Sequence, residues 1–138
     1  MSLVLDNSVA LAWCFAEAQT PAIMEVLDRV TETGAMAPQL WPVEALNGLL
    51  AAERRGRISA PLRARLSGFL QALPITIDAA MAERTWTATA PLAERHGLTA
   101  YDAAYLELAL RLALPLASTD AALVAAAREE GVGLVVAG

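Results

Sequence analysis

The chain is expected to fold as an α/β domain, a three-layer α/β/α sandwich around a mainly parallel central sheet. Short β-prone runs recur along it, among them Leu3-Val4-Leu5, Ile75-Thr76-Ile77 and Leu134-Val135-Val136, and stretches at helical spacing separate them. That alternation is the signature of a parallel sheet covered by helices on both faces. With 138 residues, 57% of them hydrophobic, the chain has the length and apolar content for one domain, 1–138, with a sizeable core.

Residues 2–6 read as a buried strand that ends in Asp6, and residues 8–17 as a helix. Thr20-Pro21 offers an N-cap followed by proline at the first helical position, and Ile23, Val26, Leu27 and Val30 then give an apolar stripe that Gly34 ends. Ala35-Met36-Ala37 is a short strand stopped by Pro38. A helix from about Pro42 to Arg55 should turn Val43, Leu46, Leu49 and Leu50 inward, with Gly56 at its stop. Ser59 caps the next helix, Pro61 lies in its first turn and Pro74 ends it. Ile75-Thr76-Ile77 is a strand, and Asp78 resembles an N-cap. Residues 79–96 read as a helix broken near Pro91, because proline disrupts an interior turn. Thr99 caps a helix over 100–113, and 114–117 is a strand. Asp120 opens a helix to about Glu130, Gly131 stops it, and Leu134-Val135-Val136 is the last strand.

Composition excludes several classes. No apolar run reaches the roughly 18 residues of a membrane span. Met1-Ser2 carries no basic segment and the first apolar run stops at Asp6, so no secretory signal is expected. One cysteine, Cys14, rules out an internal disulfide framework and a cysteine-based zinc site. It reads as a small buried hydrophobe, and a cytoplasmic protein is the simplest expectation. All ten basic residues are arginine, which coding bias explains more readily than a preference for phosphate. The missing lysine is still informative. Receiver domains and haloacid-dehalogenase-like phosphotransferases also place an aspartate at a strand end, but both rely on a lysine. The net charge of −5 argues against gripping nucleic acid by overall charge, an objection that weakens if divalent cations neutralise an acidic site.

Most of the fifteen acidic residues have ordinary surface settings. Glu25, Asp28 and Glu32 share the polar side of one helix, Glu53 adjoins Arg54 and Arg55, and Glu129 and Glu130 end a helix. Asp6, Glu44, Asp102 and Asp120 differ, because each stands in an apolar setting. Strands carry Asp6 and Asp120 out of the core, whereas Glu44 and Asp102 lie early in helices. A carboxylate near a helix start also answers the helix dipole, by roughly 0.3–1 kcal/mol, and locally that plainer reading stands equal for Glu44, Asp102 and Asp120. Convergence separates the two readings. Strand C-termini and the helix starts that follow them lie on one rim of a parallel sheet, where ligands bind. Four carboxylates there repel unless a cation sits between them. Oxygen donors without thiolates or a histidine cluster suit Mg²⁺ or Mn²⁺, and acids clustered around such ions are apparatus for phosphodiester hydrolysis.

Five segments run in order over essentially the whole chain: 4–13 with Val4-Leu5-Asp6-Asn7-Ser8, 37–47 with Trp41-Pro42-Val43-Glu44-Ala45, and 54–58 with Arg54-Arg55-Gly56-Arg57. They continue with 96–106, holding the specific Leu98-Thr99-Ala100-Tyr101-Asp102-Ala103-Ala104-Tyr105, and 114–123 with Ser118-Thr119-Asp120. Together they resemble the PIN-domain family, and within it the VapC-type ribonuclease toxins of bacterial toxin–antitoxin pairs. The resemblance implies a metal-dependent endoribonuclease in which Asp6, Glu44, Asp102 and Asp120 hold Mg²⁺ or Mn²⁺ and direct a water at an RNA phosphodiester. It implies a 5′-phosphate and a 3′-hydroxyl as product ends, a cognate antitoxin as partner, and a homodimer. Ser8 matches a hydroxyl position near the first ligand, and Ser118 stands where relatives often carry threonine. Ala121 and Ala122 replace a further acid found in some relatives, so a second ion would be held weakly at most. The alternatives are a PIN nuclease of RNA processing without a toxin role and a non-catalytic binding module; intact acids at all four positions count against the module.

Five of the ten arginines (Arg54, Arg55, Arg57, Arg63 and Arg65) fall in a stretch, 45–77, whose only acid is Glu53. Arg54, Arg55 and Arg57 are therefore candidates for contact with RNA phosphates or the antitoxin. A solvated helix end complementing its dipole is the alternative. His96 precedes Gly97 at a helix end and reads as a cap or surface residue rather than a general base. Tyr101 and Tyr105 read as packing around the site rather than stacking on bases. Trp13, Trp41 and Trp86 read as core or interface residues, the first two close enough in sequence to Asp6 and Glu44 to line a substrate groove.

Overall fold

The computed structural model describes residues 3–137. Met1, Ser2 and Gly138 lie outside them, and with Ser2 the start of the expected first strand. Five strands form one sheet: β1 (Val4–Leu5), β2 (Ala35–Ala37), β3 (Ile75–Ile77), β4 (Leu116–Ser118) and β5 (Leu134–Ala137). Their spatial order is β3-β2-β1-β4-β5, and every pairing is parallel. The helices that flank the sheet are α1 (Asn7–Cys14), α2 (Pro21–Thr33), α3 (Trp41–Arg54), α4 (Ala60–Ala72), α5 (Met81–Arg84), α6 (Ala90–His96), α7 (Ala100–Leu112) and α8 (Ala121–Glu129). The chain steps outward from β1 to β2 and β3, then returns to lay β4 and β5 on the other side of β1. The order therefore reverses between β1 and β4, and such a switch point opens a crevice at the carboxyl ends of the strands.

The core is built around that central pair. Leu3, Val4 and Leu5 are fully buried, as are Leu116 and Ala117 on β4. Burying one such large aliphatic side chain contributes about 1.5–3 kcal/mol. Val4 pairs with Met36 on one side and Leu116 on the other, which fixes where β1 releases the chain at Asp6. The expected caps form: Thr20, Ser59 and Thr99 accept from the amides of Ile23, Leu62 and Asp102. Gly34 ends α2 at φ 76°, and a Cβ there would stand 3.0 Å from the Pro74 carbonyl, so both conformation and space require glycine.

Two local expectations are corrected, and the expected break near Pro91 takes a definite form. The inward face of α3 is Trp41, Ala45, Leu49 and Ala52, while Val43 is 71% exposed and Leu46 45%. Gly48 explains the choice, because a Cβ there would lie 2.4 Å from Cδ1 of Leu11 on α1. The side carrying Gly48 makes the close approach, so Val43 and Leu46 turn out while Leu49 stays buried. The break between 79 and 96 is a π-helical turn, Thr85–Thr89. The turn directly precedes Pro91, as expected of a proline inside a continuous helical run, which can donate no N–H and crowds the carbonyl four residues back. Asp78 does not cap a helix, since α5 begins only at Met81. Its Oδ2 accepts from the Ala80 amide at 3.2 Å, and Arg111 holds both its oxygens, at 3.1 and 2.7 Å. The Asp78 bonds tie the end of α7 to the end of β3, and within α7 Arg111 also binds the buried Glu107 at 2.9 Å. Among the described residues, no helix is long and apolar enough to cross a membrane.

Candidate metal centre

Asp6 leaves β1 as the N-cap residue of α1 and is only 5% exposed. Two hydroxyls converge on its Oδ2: Ser8 donates at 2.6 Å and Ser118 at 2.8 Å. Each hydroxyl is directed by an amide that can only donate. The Thr119 N–H reaches Ser8 Oγ at 3.0 Å, and the Asp120 N–H reaches Ser118 Oγ at 3.1 Å. With a lone pair of each serine occupied in this way, the hydroxyl proton is left for Asp6. The network laces the end of β1 to the end of β4 at the switch point. Asp120 stands two residues beyond β4 as the N-cap of α8, its Oδ1 accepting from the Leu123 amide at 2.9 Å.

Glu44 and Asp102 enter from the helices on either side. Glu44 lies in the first turn of α3, and its Oε1 accepts from the Tyr105 phenol at 2.6 Å. Asp102 lies in the first turn of α7, where its amide donates to the Thr99 hydroxyl. Tyr105 follows Asp102 at i+3 and so shares its helix face.

Charge links the other three acids to Asp102. Burial, then the charges of Asp120, Asp6 and Glu44, lift the Asp102 carboxyl up to about 6. Burial also raises Glu44, with a further push from Asp6 and an opposing effect from the Tyr105 bond. Burial raises Asp6 against the pull of the Ser8 and Ser118 hydroxyls and the Asn7 and Ser8 amides. The carboxylates are within Coulombic reach of one another. Yet among the described residues no three acidic, histidine or cysteine side chains stand close enough together to hold an ion as they are. The donor set is oxygen alone, which fits a hard divalent cation, and such a charge would reverse the penalty that holds three of the carboxyls up.

The PIN-domain family model matches residues 3–132. The chain belongs to the PIN-domain family. Proteins of this family are in general metal-dependent nucleases. Among solved structures, this PIN domain is similar to PAE2754 from Pyrobaculum aerophilum, with a TM-score of 0.70, 23% sequence identity, and coverage of 98% of this chain and 90% of that one. At that identity the likeness speaks for the fold. No curated protein matches the chain by sequence.

Other expected site residues of the PIN domain divide by what they touch. Arg57 pairs with Glu17 and lies 4.7 Å over the Phe15 ring, so its guanidinium is committed to fold contacts. Arg54 and Arg55 are exposed at the far end of α3. Ten residues separate Arg54 from Glu44, about 15 Å along a helix. A cavity of about 790 Å³ begins beside Ser8 and Thr119 and reaches Phe15 and Arg57. His96 is buried at the end of α6, with Nε2 2.6 Å from Glu130 and Nδ1 3.1 Å from Glu129; it clamps α6 to α8 and stands apart from the acids. Trp13 is buried and donates to the Ile23 carbonyl at 2.9 Å. Trp41 lines a smaller apolar cavity of about 320 Å³ with Leu46, Ser67 and Leu70. Tyr101, beside Asp102, is 64% exposed, whereas Tyr105 is fully buried and bonded to an acid. That bond to a candidate ligand was not visible in the sequence, apart from the i+3 spacing of Tyr105 from Asp102.

Proposed function

We propose that this PIN domain is a metal-dependent endoribonuclease and the toxin of a toxin–antitoxin pair, its nuclease domain spanning residues 1–138. The reading is supported by one observation: Asp6 and Asp120 follow the adjacent strands β1 and β4 at the sheet's switch point, and the charges of Asp120, Asp6 and Glu44 all reach Asp102. These four residues would hold Mg²⁺ or Mn²⁺. When bound, the ion supplies a hydroxide near neutral pH and offsets charge on the phosphodiester oxygens. Ser8 and Ser118 keep the Asp6 carboxylate from turning, through bonds of 2.6 and 2.8 Å to the same oxygen. The raised Asp102 carboxyl makes a carboxylate that gains from a nearby cation. Arg54 and Arg55 extend the surface for RNA phosphates away from the acids. The cavity from Ser8 to Arg57 supports an antitoxin contact beside the site. Exposed Val43, Trp86 and Tyr101 support a homodimer; none of the large exposed hydrophobics lies on α1 or α2, whose apolar residues serve the core. The single cysteine, Cys14, fits a cytoplasmic setting.

Cleavage of RNA in the presence of Mn²⁺ or Mg²⁺, abolished in Asp6→Ala, is the expected result. Cleavage that persists in EDTA would reject the metal mechanism. RNA binding without cleavage would favour the non-catalytic module. Cleavage without growth arrest on expression would favour a role in RNA processing over a toxin.

A further inference from the structure

The geometry points to Tyr105 as a positioning residue of the proposed metal site: its buried phenol pins one oxygen of Glu44 and so sets how well that carboxylate serves a divalent cation. The inference rests on the reading of Asp6, Glu44, Asp102 and Asp120 as metal ligands.

Packing does not account for this hydroxyl. Tyr105 is fully buried, and phenylalanine would fill the same volume without a polar atom to desolvate. The hydroxyl instead spans 61 positions of sequence to reach Glu44 Oε1 at 2.6 Å, joining α7 to α3. The distance is that of a charge-assisted bond. Glu44 is long and only half-buried, so without an anchor its carboxylate would have to be ordered each time an ion bound. The bond engages Oε1 and leaves Oε2 for a ligand. The same device holds Asp6, where two serine hydroxyls occupy Oδ2. Asp102 and Tyr105 share one face of α7, so a single helix supplies a ligand and the anchor of another ligand.

Outer partners of this kind set metal affinity by about 10–100-fold. Mn²⁺ binding, followed by calorimetry and by the spin resonance of the free ion, would be measured for wild type, Tyr105→Phe, Glu44→Gln and the double variant. Tyr105→Phe keeps the ring, and its far-UV spectrum and melting curve check the fold. Affinity is expected to fall by about tenfold in Tyr105→Phe. In the Glu44→Gln background the same change should have no further effect, because Tyr105 acts through Glu44. A merely structural role would leave the affinity of Tyr105→Phe within twofold of wild type, and that result would overturn the proposal. Equal losses in both backgrounds would overturn it as well. A wild-type protein that binds no Mn²⁺ would reject the reading of the four acids and the Tyr105 role together, an outcome distinct from equal binding by wild type and Tyr105→Phe.

Discussion

Replacing Asp102 by asparagine should make the metal-free protein more stable while destroying the proposed site. Asp102 is charged at pH 7.5, in a crevice where burial and three neighbouring carboxylates oppose that charge and lift its carboxyl from an ordinary 3.8 to about 6. Taken at full value, that difference corresponds to about 3 kcal/mol of stability lost at neutral pH. The side chain is partly open to water, and solvent screening reduces the expectation to about 1 kcal/mol. Because the folded value lies above the unfolded one, the penalty is complete above about pH 6. It fades as pH falls through that value toward 3.8, where folded and unfolded chains are both protonated. The asparagine amide is close to isosteric with the carboxylate and uncharged, so Asp102→Asn should melt about 4 °C higher than wild type at pH 7.5 in EDTA. The advantage should fade as pH is lowered toward 3.8. Mn²⁺ at pH 7.5 should reverse the order, stabilising wild type and not the variant. Circular-dichroism melts at pH 7.5 and at lower pH, with EDTA and with Mn²⁺, test each step. An Asp102→Asn protein less stable than wild type at pH 7.5 in EDTA would refute the reasoning, since it would mean that the charge is supported where it stands.

Two further outcomes follow from the same geometry. Ser118→Ala removes a fully buried hydroxyl that donates to Asp6 and accepts from the Asp120 amide. It should weaken Mn²⁺ binding by about tenfold and cost about 1 kcal/mol in a urea titration, and unchanged affinity would count against the two-serine clamp. Arg55→Ala should lower the slope of log affinity against log salt for single-stranded RNA by about 0.7, whereas Arg57→Ala, already paired with Glu17 and stacked on Phe15, should leave that slope unchanged.

The fold was legible where a local signal had no competitor. Thr20-Pro21 announced α2, Ser59 announced α4 and Thr99 announced α7, because each hydroxyl satisfies an amide that otherwise has no partner. Strands β2 and β3 fall at the expected residues, since each lies between a helix stop and a breaker. Misreadings arose where tertiary contact outvoted local pattern. Val43 and Leu46 look inward-facing by size and spacing, but the approach of α3 to Leu11 on α1 selects the side with Gly48 and alanines. The cap-like Asp78 is engaged by Arg111, a partner 33 positions away.

The site was legible in part for a related reason. Asp6 and Asp120 could be placed on one rim because a parallel sheet puts all its strand ends together, and the structure sets them beside the adjacent strands β1 and β4. Glu44 and Asp102 were harder, since a first-turn acid has a local explanation in the helix dipole. The local explanation does hold in part: Asp120 caps α8 through Oδ1. Capping, though, does not account for a carboxyl lifted to about 6 by burial and three other acids, because a dipole-compensating residue gains from its charge. What no sequence pattern could carry was which oxygen each acid has committed. Tyr105 and Asp102 are close in the chain, but Glu44 reaches Tyr105 only after β2, α3 and α7 are in place. The acids can thus be named from spacing, while their presentation depends on hydroxyls that only the fold brings to them. A site assembled this way should lose metal affinity when a hydroxyl is removed and lose the metal altogether when a ligand is, and that difference separates the roles of Tyr105 and Glu44.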